Sequence, residues 1–254
     1  MHRSLRCAAI GMVALVGTLP AQAPGGGHWP PDSLINVKVI PRTTPVIQVV
    51  GMMRNITGAL GVRCQFCHVG EEGMPLAQFD FAKDEKRTKL VARQMMRMVE
   101  DINRRLDTLP EHDHTGPTLE VTCATCHRGV SRPMPLATLV ETTAAAAGPD
   151  SAIRAYRALR ERYYGRDAYD FGESSLNIAA FRLGRAGKYA SAFELLRLNE
   201  ELFPNSSGMS VFRGNISLMR GDTTAAAAAF REAIRRDPTN EEAKGRLRAI
   251  GRQP

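Results

Sequence analysis

Two short strings, Cys64-Gln-Phe-Cys-His68 and Cys123-Ala-Thr-Cys-His127, constrain this chain more than anything else in it. Each places two cysteines three positions apart with a histidine directly behind. The chain has five cysteines, and the one outside these strings, Cys7, lies near the N-terminus. That N-terminus reads as a secretory signal peptide over residues 1–23. His2, Arg3 and Arg6 precede the uncharged run Cys7–Leu19, and Ala21-Gln22-Ala23 forms a small-residue cleavage site. The run is 13 residues long, whereas a bilayer core of about 30 Å needs about 20. No later stretch is long enough either, so the mature chain is expected to begin near Pro24, without a transmembrane segment and in the periplasm.

An exported chain with an even cysteine count would ordinarily carry a disulfide framework. A bridge across two intervening residues closes so small a loop that it constrains little. The histidine, in the same place both times, points instead to c-type haem attachment. Two thiols add to the two vinyl groups of one porphyrin, and the next residue offers its imidazole to the iron. A zinc ribbon needs cysteine pairs separated by about 15–20 residues, but Cys67 and Cys123 are 56 positions apart. A thioredoxin-like redox pair needs a strand feeding a helix, and no strand-rich context surrounds either string. The expectation is two covalently bound haem c groups, held by Cys64 and Cys67 and by Cys123 and Cys126, with His68 and His127 as iron ligands.

The sixth iron ligand separates electron transfer from catalysis. Upstream of the first string, Thr44-Pro45 suits a helix start and Gly61 a stop. Between them Val46, Val49, Met53, Ile56 and Leu60 form one apolar face. Met53 lies on it, 11 residues before Cys64, and is the candidate ligand of the first iron. A second amphipathic helix follows, with Val91, Met95, Met98, Ile102 and Leu106 as its stripe. Its acidic start at Asp84 and Glu85 and its basic end at Arg104 and Arg105 suit the helix dipole. Leu109-Pro110 closes it. Met95 or Met98 could ligate the second iron, with His112 and His114 as loop rivals.

The stretch from about Asn36 to Pro135 resembles the cytochrome c subunit of photosynthetic reaction centres and its non-photosynthetic relatives. "NVKVIP", "MRNITGALGVRCQFCH", "FAKDEKRTKLVARQMMRMVEDIN" and "VTCATCHRGVSRPMP" carry the likeness. In that family a helix, a turn and Cys-x-x-Cys-His build each site, and a helical methionine faces most of the irons. The resemblance therefore implies Cys64, Cys67, His68 and Met53 at one haem and Cys123, Cys126, His127 and Met95 at the other, with Met95 ahead of Met98. The family subunit usually carries four haems and this chain has two motifs, so it looks like one half of that protein.

Composition changes after the second string. Residues 137–150, small and almost uncharged, read as a linker between a dihaem domain at 24–136 and a helical domain at 151–254. In the latter, Ala180/Gly214, Gly187/Gly221, Ala192/Ala226, Leu196/Phe230 and Pro204/Pro238 are each 34 residues apart, the tetratricopeptide (TPR) period. This half resembles a TPR module. Residues 151–165, with Ala155, Leu159 and Tyr163, are expected as a flanking helix and Glu241–Ile250 as a terminal cap. Such stacks recognise a protein or peptide.

The expected fold class is thus all-α, a dihaem cytochrome domain followed by TPR-like repeats. The formal net charge of +8 is spread at helical intervals and fits an acidic redox partner; nucleic-acid binding does not suit an exported haem protein. Three functions compete. The favoured one is an electron carrier, not an enzyme, since His/Met-ligated irons leave no open position. The others are a dihaem peroxidase-type oxidoreductase and a haem-bearing assembly or interaction protein.

Overall fold

The computed structural model describes residues 28–109 and 119–253. The expected signal peptide and the loop histidines His112 and His114 lie outside the described residues. Among those described the chain is all helical, with ten α-helices and two short 3₁₀ turns. The one extended pairing there is an isolated bridge between Val69 and Asp80. No helix among them is long and apolar enough to cross a membrane.

The chain divides into two compact units, one made of residues up to Val50 plus Cys64–Met96, the other of Gly51–Arg63 plus Arg97–Pro254. The dividing points fall within α1 (Val46–Leu60) and α2 (Arg87–Leu106).

α1 starts where Thr44-Pro45 predicts, with Gln48 and Val49 donating to the Pro45 carbonyl. It ends at Gly61, whose φ of 65° lets Val62 N–H reach back to the Thr57 carbonyl at 3.0 Å. That bond satisfies a carbonyl that the helix end would otherwise orphan. Of the predicted apolar face, Val49 is buried and Val46, Met53, Ile56 and Leu60 are half-buried. The face of α2 is less well covered, because Val91 and Met98 are exposed while Met95, Ile102 and Leu106 are half-buried.

The second unit continues with α3 (Cys123–His127), α4 (Leu136–Ala147), α5 (Pro149–Tyr163), α6 (Glu173–Arg185), α7 (Tyr189–Leu202), α8 (Ser207–Met219), α9 (Thr223–Arg236) and α10 (Glu241–Ala249). Residues 137–150, expected as a linker, are folded instead. They form α4 and the first turn of α5, and Leu136, Ala137, Val140 and Ala144 enter the main core with Ala152, Tyr156, Leu176, Leu183 and Leu196. Composition misled here because alanine and threonine at helical spacing can build a close helix contact as readily as a spacer. Gly148, with φ 83°, turns the chain between α4 and α5. On α5 the buried anchors are Ala152 and Tyr156, while the expected Ala155, Leu159 and Tyr163 are only half-buried.

Two helical hairpins, α6–α7 and α8–α9, follow in tandem, and α10 packs on α9. Ala180, Ala192, Leu196, Ala226 and Phe230 are fully buried. Phe230 lies so close to Gly214 that a Cβ there would sit 2.4 Å from the ring. A smaller core gathers Val211, Phe230, Ala233, Ala243 and Leu247. Fully burying side chains of this size stabilises by roughly 1.5–3 kcal/mol each.

Candidate haem-attachment sites

Each Cys-x-x-Cys-His string folds as a single helical turn. In the first, residues Cys64–Phe66 form a 3₁₀ turn, and His68 N–H donates to the Cys64 carbonyl at 3.0 Å. In the second the five residues are α3 itself. Residues three and four apart share one side of such a turn, so each winding presents two thiols and an imidazole together. The four cysteines are unbridged.

The first turn is fastened by side chains. Lys86 Nζ donates to the Gln65 carbonyl and Thr88 Oγ1 to the Phe66 carbonyl, so the start of α2 grips the two residues between the cysteines. Asp80 N–H donates to the Val69 carbonyl at 2.9 Å and closes the loop that follows His68. That loop ends in an aromatic cluster: the Phe81 ring centroid is 4.8 Å from those of both His68 and Trp29, and 5.6 Å from that of Phe79. Burial, reinforced by the positive charge of Lys89, pushes the His68 imidazole down to about 4, which favours the neutral form that a metal ligand requires. Burial also pushes the Cys67 thiol up, against the opposing pull of a Thr88 hydrogen bond and of Lys86.

Behind this turn lies a charged cluster, of which only Asp84 stands out in the sequence, as an acidic residue near a helix start. Lys89 is buried at 8% exposure. Its ammonium donates to the carbonyls of Phe81 (2.8 Å), Ala82 (3.1 Å) and Lys83 (2.6 Å). It also pairs with Asp84 at 2.9 Å. Arg93 binds the other Asp84 oxygen at 2.8 Å and the Asn36 carbonyl at 3.0 Å. Hydrogen bonds from Arg93, Asn36 and Lys89 hold the Asp84 carboxyl well below the usual carboxylate range. Three residues between Lys89 and Arg93 and four between Asp84 and Lys89 do not mark a cluster in sequence; the loop must fold back first.

The second turn is fastened by backbone bonds and by uncharged side chains. Thr122 N–H donates to Thr125 Oγ1 at 3.0 Å, closing the N-terminal end of α3. At the other end Arg128 takes a left-handed conformation with φ 48°, and Gly129 N–H donates to the Ala59 carbonyl at 2.7 Å. The end of α1 therefore docks directly behind His127. Gly61 is required twice over: its φ is positive, and a Cβ would sit 2.1 Å from the Gly129 oxygen. Asn103 on α2 adds a reciprocal pair with Val121, at 3.0 and 2.8 Å.

His127 is buried, and its Nδ1 lies 2.9 Å from the Val130 carbonyl. A carbonyl can only accept, so Nδ1 carries the proton and Nε2 keeps its lone pair. That is the tautomer an Nε2 metal ligand needs, held by its own backbone. His68 Nδ1, by contrast, is buried without a partner. Beside the second turn, Ala124, Arg128, Arg166, Asp167, Tyr169 and Asp170 line an open cleft.

The donor sets fit two c-type haems: paired free thiols and an adjacent imidazole on one turn, twice. The candidate methionines are distributed differently. Met53 belongs to the second unit and Met95 to the first, while Met98 shares the second unit with Cys123–His127. Met95 is half-buried and Met98 is 44% exposed.

Comparison with known proteins places this arrangement. Residues 71–154 match the family model described as "Photosynthetic reaction centre cytochrome C subunit". The match begins just past His68, takes in α2 and the second Cys-x-x-Cys-His turn, and runs through α4 into α5. It therefore includes the segment expected to be a linker. The chain is 35% identical over 94 residues to cytochrome c-554 of Chloroflexus aurantiacus, covering 37% of this chain and 20% of that one. It is 32% identical over 91 residues to the photosynthetic reaction center cytochrome c subunit of Rubrivivax gelatinosus, covering 33% of this chain and 23% of that one. The chain thus spans about a fifth of the length of each of these relatives. No solved structure gives a significant match. Over residues 71–154, which carry α2, the second Cys-x-x-Cys-His turn and α4, the chain bears the signature of the photosynthetic reaction centre cytochrome C subunit family.

Proposed function

We propose that the protein is an exported dihaem c-type cytochrome that passes electrons between redox proteins, in the periplasm, without itself being an enzyme. The observation that carries this reading is the His127 imidazole, buried on the same turn as two free thiols and aimed by the Val130 carbonyl. A histidine with Nδ1 held by a carbonyl and Nε2 left free suits an iron ligand, and its place directly behind a Cys-x-x-Cys pair is the one that c-type haem attachment uses. Bound haem supplies a one-electron couple that the polypeptide lacks. Cys64, Cys67 and His68 hold one group and Cys123, Cys126 and His127 the other. Met53 is the proposed second axial ligand at the first site, and Met95, with Met98 as its alternative, at the second. Arg128 and Arg166 in the adjacent cleft suit the acidic edge of a propionate-bearing ring.

The hairpins from α6 to α9 are proposed as a TPR-like module that docks a partner protein or peptide. Supporting this, Gly187 and Gly221, 34 residues apart, both end a helix with positive φ, 74° and 85°. The residue pairs Ala192/Ala226 and Leu196/Phe230 are buried at the same period.

Mass spectrometry of the exported protein tests the reading, with the mass of two haems expected on the polypeptide. A bare polypeptide would overturn it. Met53→Ala is expected to abolish, at one site, the weak far-red absorption that marks thioether-to-iron ligation, and an unchanged spectrum would remove Met53 from the ligand set.

A further inference from the structure

Among the described residues Lys89 is the one lysine or arginine that is buried. Burying an ammonium is costly, and the loop it touches is already tied without it. Asp80 Oδ1 accepts from the backbone N–H groups of Ala82 and Lys83, both at 3.0 Å, and Asn36 Nδ2 donates to the Ala82 carbonyl at 2.6 Å. Closure of the loop alone does not account for a buried cation there.

Its electrostatic setting does. Asp84 is shared between Lys89 and Arg93, so one negative charge faces two positive ones. Lys86 adds a third cation against the carbonyl of Gln65, inside the first motif. Lys83 faces both Asp80 and Glu85, which returns one negative charge and leaves the loop and the start of α2 with a net excess of one positive charge among these residues. This excess lies next to His68: Phe81 receives the Lys89 ammonium on its carbonyl and sets its ring 4.8 Å from the His68 ring, tilted by 60°. The second site is arranged oppositely, since His127 gives its Nδ1 proton to a carbonyl, which makes the imidazole a stronger donor.

We propose that Lys89 is a positioning residue that tunes the first haem site to a higher reduction potential than the second. A fixed cation beside a centre disfavours the oxidised state, which carries one more positive charge than the reduced state. In a partly buried setting this effect is worth at least a factor of ten in the redox equilibrium. The proposal rests on the dihaem reading above.

The test is a spectroelectrochemical titration of the exported holoprotein, with haem counted by mass in every sample. Wild type should titrate in two steps whose ferrous-to-ferric ratios differ at least tenfold at a common potential, about 59 mV for a one-electron couple. Lys89→Met should lower the ratio of the higher-potential step about tenfold and leave the other in place. Lys89→Arg, which keeps the charge, should stay within about threefold of wild type. Asp84→Asn, which removes the opposing charge, should move the same step upward, and it decides the matter if Lys89→Met matures poorly. A holoprotein with two haems in which neither step moves, or in which the lower step moves, or in which Lys89→Arg behaves like Lys89→Met, overturns the proposal. Wild type without haem mass overturns the dihaem reading instead.

Discussion

The two Cys-x-x-Cys-His turns are built from the same residue types and held by different forces. Around Cys64–His68 the ties run from charged and hydroxyl side chains of α2 to loop carbonyls, and the buried anchor is Lys89. Around Cys123–His127 the ties are backbone bonds, a close glycine contact and the uncharged side chains of Thr125 and Asn103, and the same unit continues as a stack of apolar helix faces. A motif spacing of five residues specifies the attachment chemistry, then, but leaves the surroundings free. Charged clamps bring a field to the site, and backbone and neutral side-chain clamps bring geometry without charge.

The comparison can be broken most severely in the apolar stack. Phe230→Ala removes a fully buried ring and is expected to cost about 3–5 kcal/mol, read as a lower denaturant midpoint for the helical signal. Because the lost contacts are apolar, added salt should leave that deficit unchanged.

Gly61→Ala comes next. It forces a Cβ into the Gly129 carbonyl at 2.1 Å and an alanine into a left-handed conformation that costs about 1–2 kcal/mol by itself. A total of about 3 kcal/mol is expected. The damage should fall on the second site, seen as perturbed signals of one haem only.

Thr125→Ala removes the hydroxyl that accepts from Thr122 N–H and should cost about 1 kcal/mol, measured in the same unfolding experiment. There is no equivalent cap to delete at the first turn, where Cys64 begins a 3₁₀ winding.

The mildest perturbation is acid. The Asp84 carboxyl is held well below its ordinary value by Arg93, Asn36 and Lys89. A carboxylate depressed in the folded state adds stability above its unfolded pKa of about 3.9, and that stability is lost as pH falls through the folded value. Glu232, lowered to about 2 by Arg235 and Arg236, behaves likewise between about 4.5 and 2. Asp84→Asn should flatten the acid limb of the stability profile, and an unaltered limb would show that the cluster contributes nothing to it.

Much of this was legible from residue order. The helical winding of the two Cys-x-x-Cys-His strings, the bounds of α1 at Pro45 and Gly61, and the helix-ending glycines at 187 and 221 are local signals, written within a turn or two of the chain. Segment 137–150 was misjudged because small residues specify a spacer and a tight helix contact alike; only the partners Leu176, Leu183 and Leu196 distinguish them. The apolar stripe of α2 suggested a fully covered face, yet Val91 and Met98 stand exposed.

By itself, then, the sequence determined which thiols and imidazoles lie together on one turn and which segments wind into helices, because motif spacing and helical periodicity are short-range properties. Tertiary structure alone decided that a lysine would be buried beside one histidine and a carbonyl presented to the other. Those environments arise where distant segments meet: Asn36 with Arg93, Ala59 with Gly129, Asp80 with Val69. Electrostatic fields and close contacts depend on distance in space, and no local pattern of residues encodes that.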